Sequence, residues 1–293
     1  MGRTYPLIFA AAAMAVATIA AKSALDHGAS PGDLLAARCG IAAIGLIPLL
    51  PMLKPGFAAI RDARVSSRVL AVAGLLVFST ITEFGALGRL PAAVVIVIVV
   101  SGPGWSALIR WVLWRERIDR QLGAAIVAVV VGVTLIADPV GGSLDVMGIA
   151  LALTASIAGA TIMVLVESMT RVCSPRISLP VSVLIAGPIA LTLDAGRLAT
   201  QFTDPALFPL LLVVGLAALA WSLLVGRAMQ HANAVTATTI LAAEPMFVGL
   251  LAFVVLGETL SAGAIVGCLV TIAGVILAAA KSESHPMDIP TTL

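Results

Sequence analysis

Two stretches of this chain repeat one another at a constant offset, and no other feature narrows the fold as much. Pro103, Glu116 and Gly132 recur as Pro245, Glu258 and Gly274, each 142 positions downstream. Between the proline and the acid, each copy carries an apolar run suited to lipid. A chain that keeps proline, acid and glycine at unchanged spacing is built from two repeats. In membrane proteins, such repeats commonly enclose one site near the bilayer midplane.

Composition puts the chain in the membrane. Of its 293 residues, 60% are hydrophobic and 11% charged, against about 25% charged in soluble domains. Mean hydropathy is +1.13, which leaves no room for a sizeable soluble domain. The net charge of +2 is uninformative by itself, and no nucleic-acid partner is expected. Cys39 and Cys268 fall in apolar runs and Cys173 in a short loop, with no C-x-x-C spacing, so neither zinc nor a disulfide framework is indicated. His27, His231 and His285 are scattered, and no cofactor or metal is expected. Arg3 followed by Pro6 to Ala21 has the outline of a cleaved leader, but a similar run from Met147 to Val166 opens the second half and favours a retained helix.

Apolar runs of membrane-spanning length predict ten helices. They cover Pro6–Leu25, Gly32–Leu53, Val69–Leu87, Pro91–Leu113 and Gln121–Ala137, then Val146–Val166, Leu179–Leu193, Pro205–Ala228, Asn233–Leu256 and Ala262–Ala280. Residues 1–138 form the first repeat, 145–281 the second, and 282–293 a tail. One set of connections and ends carries Arg3, Lys54, Arg61, Arg64, Arg68, Arg110, Arg115, Arg117, Arg120, Arg171, Arg176, Arg227 and Lys281; the other carries Arg89 and Arg197. By the positive-inside rule both termini are cytoplasmic. Five spans per repeat make the second repeat enter the bilayer in the opposite sense to the first. The expected fold is an all-α integral membrane protein of ten transmembrane helices, arranged as two inverted five-helix repeats around a central cavity.

Ala21-Lys22-Ser23-Ala24-Leu25, Ser30-Pro31 and Leu35-Ala36-Ala37-Arg38 resemble the opening of EamA-type members of the drug/metabolite transporter superfamily. Those proteins show a lysine closing the first helix, a proline in the loop and an arginine early in the second helix. Pro103…Glu116…Gly123…Gly132 and Pro245…Gly257-Glu258…Gly267…Gly274 are similar to that family's repeated signature. The resemblance spans essentially the whole chain and implies transport of metabolites, amino acids or drugs. Two departures stand out. The tryptophan frequent in the middle of the first and sixth helices is missing from Ala13–Ile19 and Leu153–Ile162, and Arg115 replaces the glycine before Glu116. Aromatic residues make up only 4% of the chain, which argues against a stacked-ring box for quaternary cations.

Charges inside a span cost about 2.5–3.5 kcal/mol each on insertion scales, so Lys22, Arg38, Glu83 and Glu244 each need a reason. At about 1.5 Å per residue, Arg38 lies roughly 9 Å and Glu83 roughly 8 Å from the outer ends of their helices. Lys22 is nearer the outer surface, but all three fall in the non-cytoplasmic half at similar depth and can meet. Arg38 and Glu83 read either as a zwitterion-binding patch or outer gate, or as an ion pair locking two helices. Lys22 alternatively snorkels to the interface. Glu244 lies near the midplane with no basic residue in its own helix, and its repeat partner is Gly102. Low dielectric disfavours a charged carboxyl, which suits a proton carrier or a partner for a substrate amine. The plain alternative is a neutral glutamate bonded to a neighbouring helix.

Pro245 predicts a kink or break beside Glu244, matched by Gly102-Pro103-Gly104 in the fourth helix. Trp105 reads as a cavity wall or as lipid-facing packing, Trp221 as a weaker cavity candidate, and Trp111 and Trp114 as interfacial belt residues. Glu116 and Glu258 read as structural caps for the helices that follow. Gly123, Gly132, Gly267 and Gly274 are spaced for close helix contact, making the fifth and tenth helices scaffold or dimer surface. With no nucleotide-binding motif, the expectation is a secondary transporter in a bacterial-type inner membrane and not an enzyme. It is a monomer or homodimer whose partners are lipid and a small polar substrate, with proton coupling at Glu244. Export of amino acids or related zwitterions leads; a multidrug or organic-cation exporter is the alternative. A membrane enzyme modifying lipid lacks the clustered acids and histidines it would need, and a structural or sensing protein leaves the mid-span charge unexplained.

Overall fold

The computed structural model describes residues 5–59, 62–90, 95, 98–99, 101–115, 119–137, 145–170, 172–193, 203–256 and 262–284. Among them the chain is helical, with no strand. The helices are α1 (Tyr5–Asp26), α2 (Pro31–Lys54), α3 (Ala63–Leu87), α4 (Gly102–Trp114), α5 (Arg120–Ala137), α6 (Val146–Ser168), α7 (Pro175–Leu193), α8 (Leu207–Ala228), α9a (Ala234–Leu241), α9b (Glu244–Leu256) and α10 (Ala262–Ser284). Six of them, α1, α2, α3, α6, α7 and α8, are long and apolar enough to cross a membrane, and shorter apolar helices accompany them.

Several boundaries differ from the sequence reading, each for a local reason. α3 starts at Ala63, ahead of Val69, because Asp62 caps it by accepting from the Arg64 amide at 2.8 Å; polar Ser66, Ser67 and Arg68 then extend the helix beyond its apolar run. α7 starts at Pro175 instead of Leu179, since a proline needs no amide partner in a first turn. The ninth span is two helices, not one. α2 begins with a reciprocal capping box between Ser30 and Asp33 and widens to a π-helix over Ala36–Ile41. α8 lies close against this wide segment: a Cβ on Gly215 would stand 2.7 Å from the Ala37 carbonyl. The expected start of the fourth helix at Pro91 lies outside the described residues.

Packing follows the duplication. α1 runs along α8 and α6 along α3; α1 also meets α9b as α6 meets α4. α2 packs on α7, and α5 on α10. Shifting by 142 exchanges the members of each set, so the helices obey a pseudo-two-fold relation. Small residues permit the closest of these contacts, as expected where lipid supplies no hydrophobic drive. On α5, a Cβ at Gly132 would lie 2.7 Å from the Gly267 carbonyl; on α10, one at Gly274 would lie 2.9 Å from the Ala125 carbonyl. Gly123 meets nothing within 4 Å and takes no part in this seam. One apolar cluster, with Val69, Val166, Met169, Val225 and Met229, fills the end of the bundle where α6 turns into α7. Another, with Ala24, Leu34, Phe84, Leu87 and Leu211, fills part of the end where α1 turns into α2.

Candidate functional site

A cavity of about 180 Å³ opens at the centre, lined by α1, α2, α3, the segment leading into α4, α6, α8 and α9. No described residue of α5, α7 or α10 lines it. Met14 and Ser156, Thr18 and Ala160, Ser79 and Trp221, Val99 and Leu241, Gly102 and Glu244, and Pro103 and Pro245 all face it. Each pair is 142 apart, so the pseudo-two-fold passes through the cavity. Elsewhere the lining departs from that symmetry: Ile162 and Met163 of α6 line the cavity, whereas their counterparts Ala20 and Ala21 are buried and do not. Arg38 and Glu83 line it part-exposed, whereas their counterparts Pro180 and Val225 are buried. The charged pair thus meets the space on the α1–α2 side only, and apolar Ile162 and Met163 border it on the α6–α7 side.

Arg38 and Glu83 are brought together. Arg38 Nη1 donates to Glu83 Oε2 at 2.8 Å, with 18% and 21% of the two side chains exposed. The guanidinium also sits 5.6 Å from the ring centroid of Phe84, a favourable cation–π distance. Arg38 lies in the π-helical segment of α2, a distortion that recurs at functional positions. The pair faces the cavity with both signs of charge.

Glu244 is separate from that pair but shares its cavity. It opens α9b just after a tight turn, in which the Ala243 amide donates to the Ile240 carbonyl and the Met246 amide to the Ala243 carbonyl. Pro245 has no amide to give Leu241, which is why the helix cannot run through. In the first repeat the Ser101 amide donates to the Ile98 carbonyl and α4 restarts at Gly102. Glu244 Oε1 accepts a 2.7 Å hydrogen bond from the Thr18 hydroxyl of α1. Among the described residues no cation forms an ion pair with Glu244.

Other candidates fall elsewhere. Lys22 does not join Arg38 and Glu83: its ammonium pairs with Asp26 at 2.8 Å, one helical turn on, and both are substantially exposed. It lines a separate hollow with Arg89 at the α1–α2 end. Trp221 and Pro103 line the cavity; Trp105 and Gly104 do not. Trp105 Nε1 donates instead to Ser101 Oγ in its own helix at 3.0 Å, and Gly104 is exposed. Glu116 and Glu258 lie outside the described residues. Arg115 ends α4 in the left-handed region, φ 58° and ψ 20°, which accounts for glycine at this place in the resembling family.

Two elements escaped the sequence reading. Thr18 was hidden because a single hydroxyl in an alanine-rich helix carries no charge to notice. Arg110 was counted among loop cations, yet it is buried in α4, paired with Glu167 of α6 and 4.8 Å from the Trp114 ring centroid. Glu167 Oε2 also accepts from the Ala234 amide at 2.9 Å, where α9a begins. Trp114 is thus an internal partner as well as an end-of-helix aromatic. The signal available was Glu167 itself, an acid following twenty-odd apolar positions with no flanking loop.

The EamA-like transporter family matches this sequence twice, over residues 5–137 and 146–280. A solved structure described only as "Crystal structure of protein" superposes with a TM-score of 0.72, covering 96% of this chain and 96% of its own, at 16% sequence identity. That degree of identity speaks to the fold alone. Comparison with curated proteins gives no match.

Proposed function

The chain belongs to the EamA-like transporter family, and from that premise we propose that it is a secondary transporter of amino acids or related zwitterions, working by alternating access. The supporting observation is the central cavity: it carries the Arg38–Glu83 pair and Glu244 among apolar walls from Met14, Leu76 and Trp221. Arg38 offers a guanidinium to a substrate carboxylate, and Glu244 offers an acceptor to a substrate amine. The part-exposed Arg38 and Glu83 on one side, against buried Pro180 and Val225 at the counterpart positions, are an asymmetry of the kind expected of one of two exchangeable states. The distribution of basic loop residues supports cytoplasmic termini in a bacterial-type inner membrane, with the cavity facing outward and export as the direction. Helices α1–α4 and α6–α9 rock, the α5–α10 seam stays as scaffold, and Glu244 exchanges a proton in each cycle.

Two carboxyl groups against one guanidinium also favour a second reading, an organic-cation exporter relying on Glu244. One experiment separates them. Purified protein is screened by thermal shift against amino acids and against amines lacking a carboxylate, and hits are retested for flux in proteoliposomes under a pH gradient. Saturable flux of zwitterions, lost in Glu244→Gln, supports the first reading. Flux of amines alone supports the second, and unchanged pH-dependent flux in Glu244→Gln removes the proton role.

A further inference from the structure

Thr18 lies in the middle of α1, is 8% exposed and faces the cavity. A threonine within a helix usually returns its hydroxyl to the carbonyl one turn back, as Thr82, Thr134, Thr161 and Thr239 do here. Thr18 instead sends its hydroxyl across 226 positions to Glu244. The other repeat makes its contact here with different groups, Ser156 of α6 donating to the Val99 carbonyl ahead of α4. Counterparts of Thr18 and Glu244 are Ala160 and Gly102, which also face the cavity and have no polar side chain to exchange. Yet α6 packs on α4 as α1 packs on α9b. Donor and acceptor occur together on one side of the pseudo-two-fold and are missing together on the other.

The charged groups around Glu244 leave this hydroxyl in a special position. Across the cavity are Glu83 and Arg38, already bound to each other. On α1, Lys22 and Asp26 bind each other nearer its end. α5 and α10, which also pack on α9b, carry charge only near their ends: Arg120 on the one, Lys281 and Glu283 on the other. At the far end of α6, Glu167 is engaged by Arg110 and the Ala234 amide. Among the described residues, Thr18 is the donor that Glu244 has.

Resting on the reading of Glu244 as the proton-exchanging group, we infer that Thr18 is its positioning residue. The hydroxyl pins the carboxyl at the α1–α9b contact and stabilises its ionised form. A hydroxyl both donates and accepts. When Glu244 takes a proton from a hydronium ion in the cavity, which departs as water, the same contact persists with its direction reversed: the carboxylic acid donates to the Thr18 oxygen, and the Thr18 hydrogen rotates to another acceptor. No covalent bond of Thr18 is made or broken. Protonation is thereby read at the boundary between helices of opposite repeats, on one side of the symmetry axis only.

The test uses a probe that needs no transported substrate. Dicyclohexylcarbodiimide modifies protonated carboxyls in apolar surroundings, and its reaction with Glu244 is followed by peptide mass spectrometry across pH in the full-length protein, with Glu244→Gln as the blank. Thr18→Val keeps the side-chain shape and removes the hydroxyl; Thr18→Ser keeps the hydroxyl. Modification of the wild type should fall with rising pH. In Thr18→Val the midpoint should move to alkaline pH by about one unit, the scale of the difference between a hydrogen bond to a charged carboxylate and one to its neutral acid, while Thr18→Ser stays with the wild type and thermal unfolding is alike in all three. A Thr18→Val midpoint equal to the wild type, or a Thr18→Ser midpoint displaced as far as that of Thr18→Val, overturns the role of Thr18 alone. Absence of pH-dependent modification in the wild type overturns the reading of Glu244, and the inference with it.

Discussion

The two repeats share a scaffold and differ in the charges set on it. α4 and α9b each run for 13 residues from Gly102 and Glu244, positions 142 apart, and the helix pairs exchange under the same shift. The first repeat places Arg38, Glu83 and Arg110 where the second has Pro180, Val225 and Ala252. The second places Glu167 and Glu244 where the first has Leu25 and Gly102. Every one of these five charges thus has a neutral counterpart at the equivalent position of the other repeat, although α2 is π-wound at Arg38 where α7 is α-helical at Pro180. The duplicated fold can be built without them, so their work lies in what the symmetry does not provide. Arg38 and Glu83 border the cavity on the α1–α2 side, Arg110 and Glu167 join α4 to α6 near the α6–α7 end, and Glu244 lines the cavity between them.

Transplanting counterparts is the strongest way to break this comparison. Glu167→Leu copies Leu25 and leaves Arg110 buried without its carboxylate, at a cost of about 3–5 kcal/mol. Adding Arg110→Ala, which copies Ala252, should return part of that stability by removing the uncompensated charge, the remaining loss being the Ala234 amide left without its carboxylate and the volume of the arginine. Thermal unfolding in detergent compares the single and double variants; a double variant as unstable as the single one would mean that the two repeats are not interchangeable at this place. At the other end, Arg38→Gln removes the cation from a pair that the cavity keeps partly wet. Folding should change little, whereas the half-saturation for a zwitterion should rise about tenfold, the weight of one charged hydrogen bond. Unaltered half-saturation would assign the pair to helix locking.

Much of this was legible in the sequence because it is written in spacing. The offset of Pro103 and Pro245 carries the two breaks, and apolar length carries α1, α2, α3, α6, α7 and α8. Arg38 and Glu83 were legible as partners since both sit at one depth in lipid, where a lone charge is costly. The rest was hidden where depth along a helix does not determine direction around it. Lys22 shares that depth but turns to Asp26 one turn away. Trp105 lies beside the Gly102-Pro103 break and turns to Ser101. Arg110 reads as a loop cation until α6 brings Glu167 against it. Thr18, uncharged, gives hydropathy nothing to register.

A smaller effect sharpens the comparison at the ends of α4 and α9b. Arg115 takes a left-handed conformation to close α4, where the second repeat has Gly257 in sequence. A side chain costs about 1–2 kcal/mol in that region. Arg115→Gly should therefore stabilise the protein by about 1 kcal/mol, seen as a higher unfolding midpoint. A loss of stability would show that the Arg115 side chain contributes more than its backbone strain removes.

The smallest effect concerns how each repeat begins. The second starts α6 with Asp145, whose carboxylate accepts from the Met147 amide at 2.8 Å and from Arg89 at 3.1 Å; the corresponding position in the first repeat is Arg3, outside the described residues. If the repeats are inverted, these starts lie on opposite faces of the bilayer, and the sign of charge follows the positive-inside rule and not helix polarity. The hydrogen bond from Arg89, then those from the Met147 and Gly148 amides, hold the Asp145 carboxyl below its usual range. A carboxyl with a depressed folded pKa stabilises above its unfolded value, about 3.9, and that contribution is lost as pH falls through the folded value. Asp145→Asn should therefore unfold slightly earlier than the wild type at neutral pH, and the gap should close as the medium is acidified below about pH 4. A gap that persists in acid would trace the effect to the shape of the cap, and the charge difference between the two helix starts would then serve topology alone.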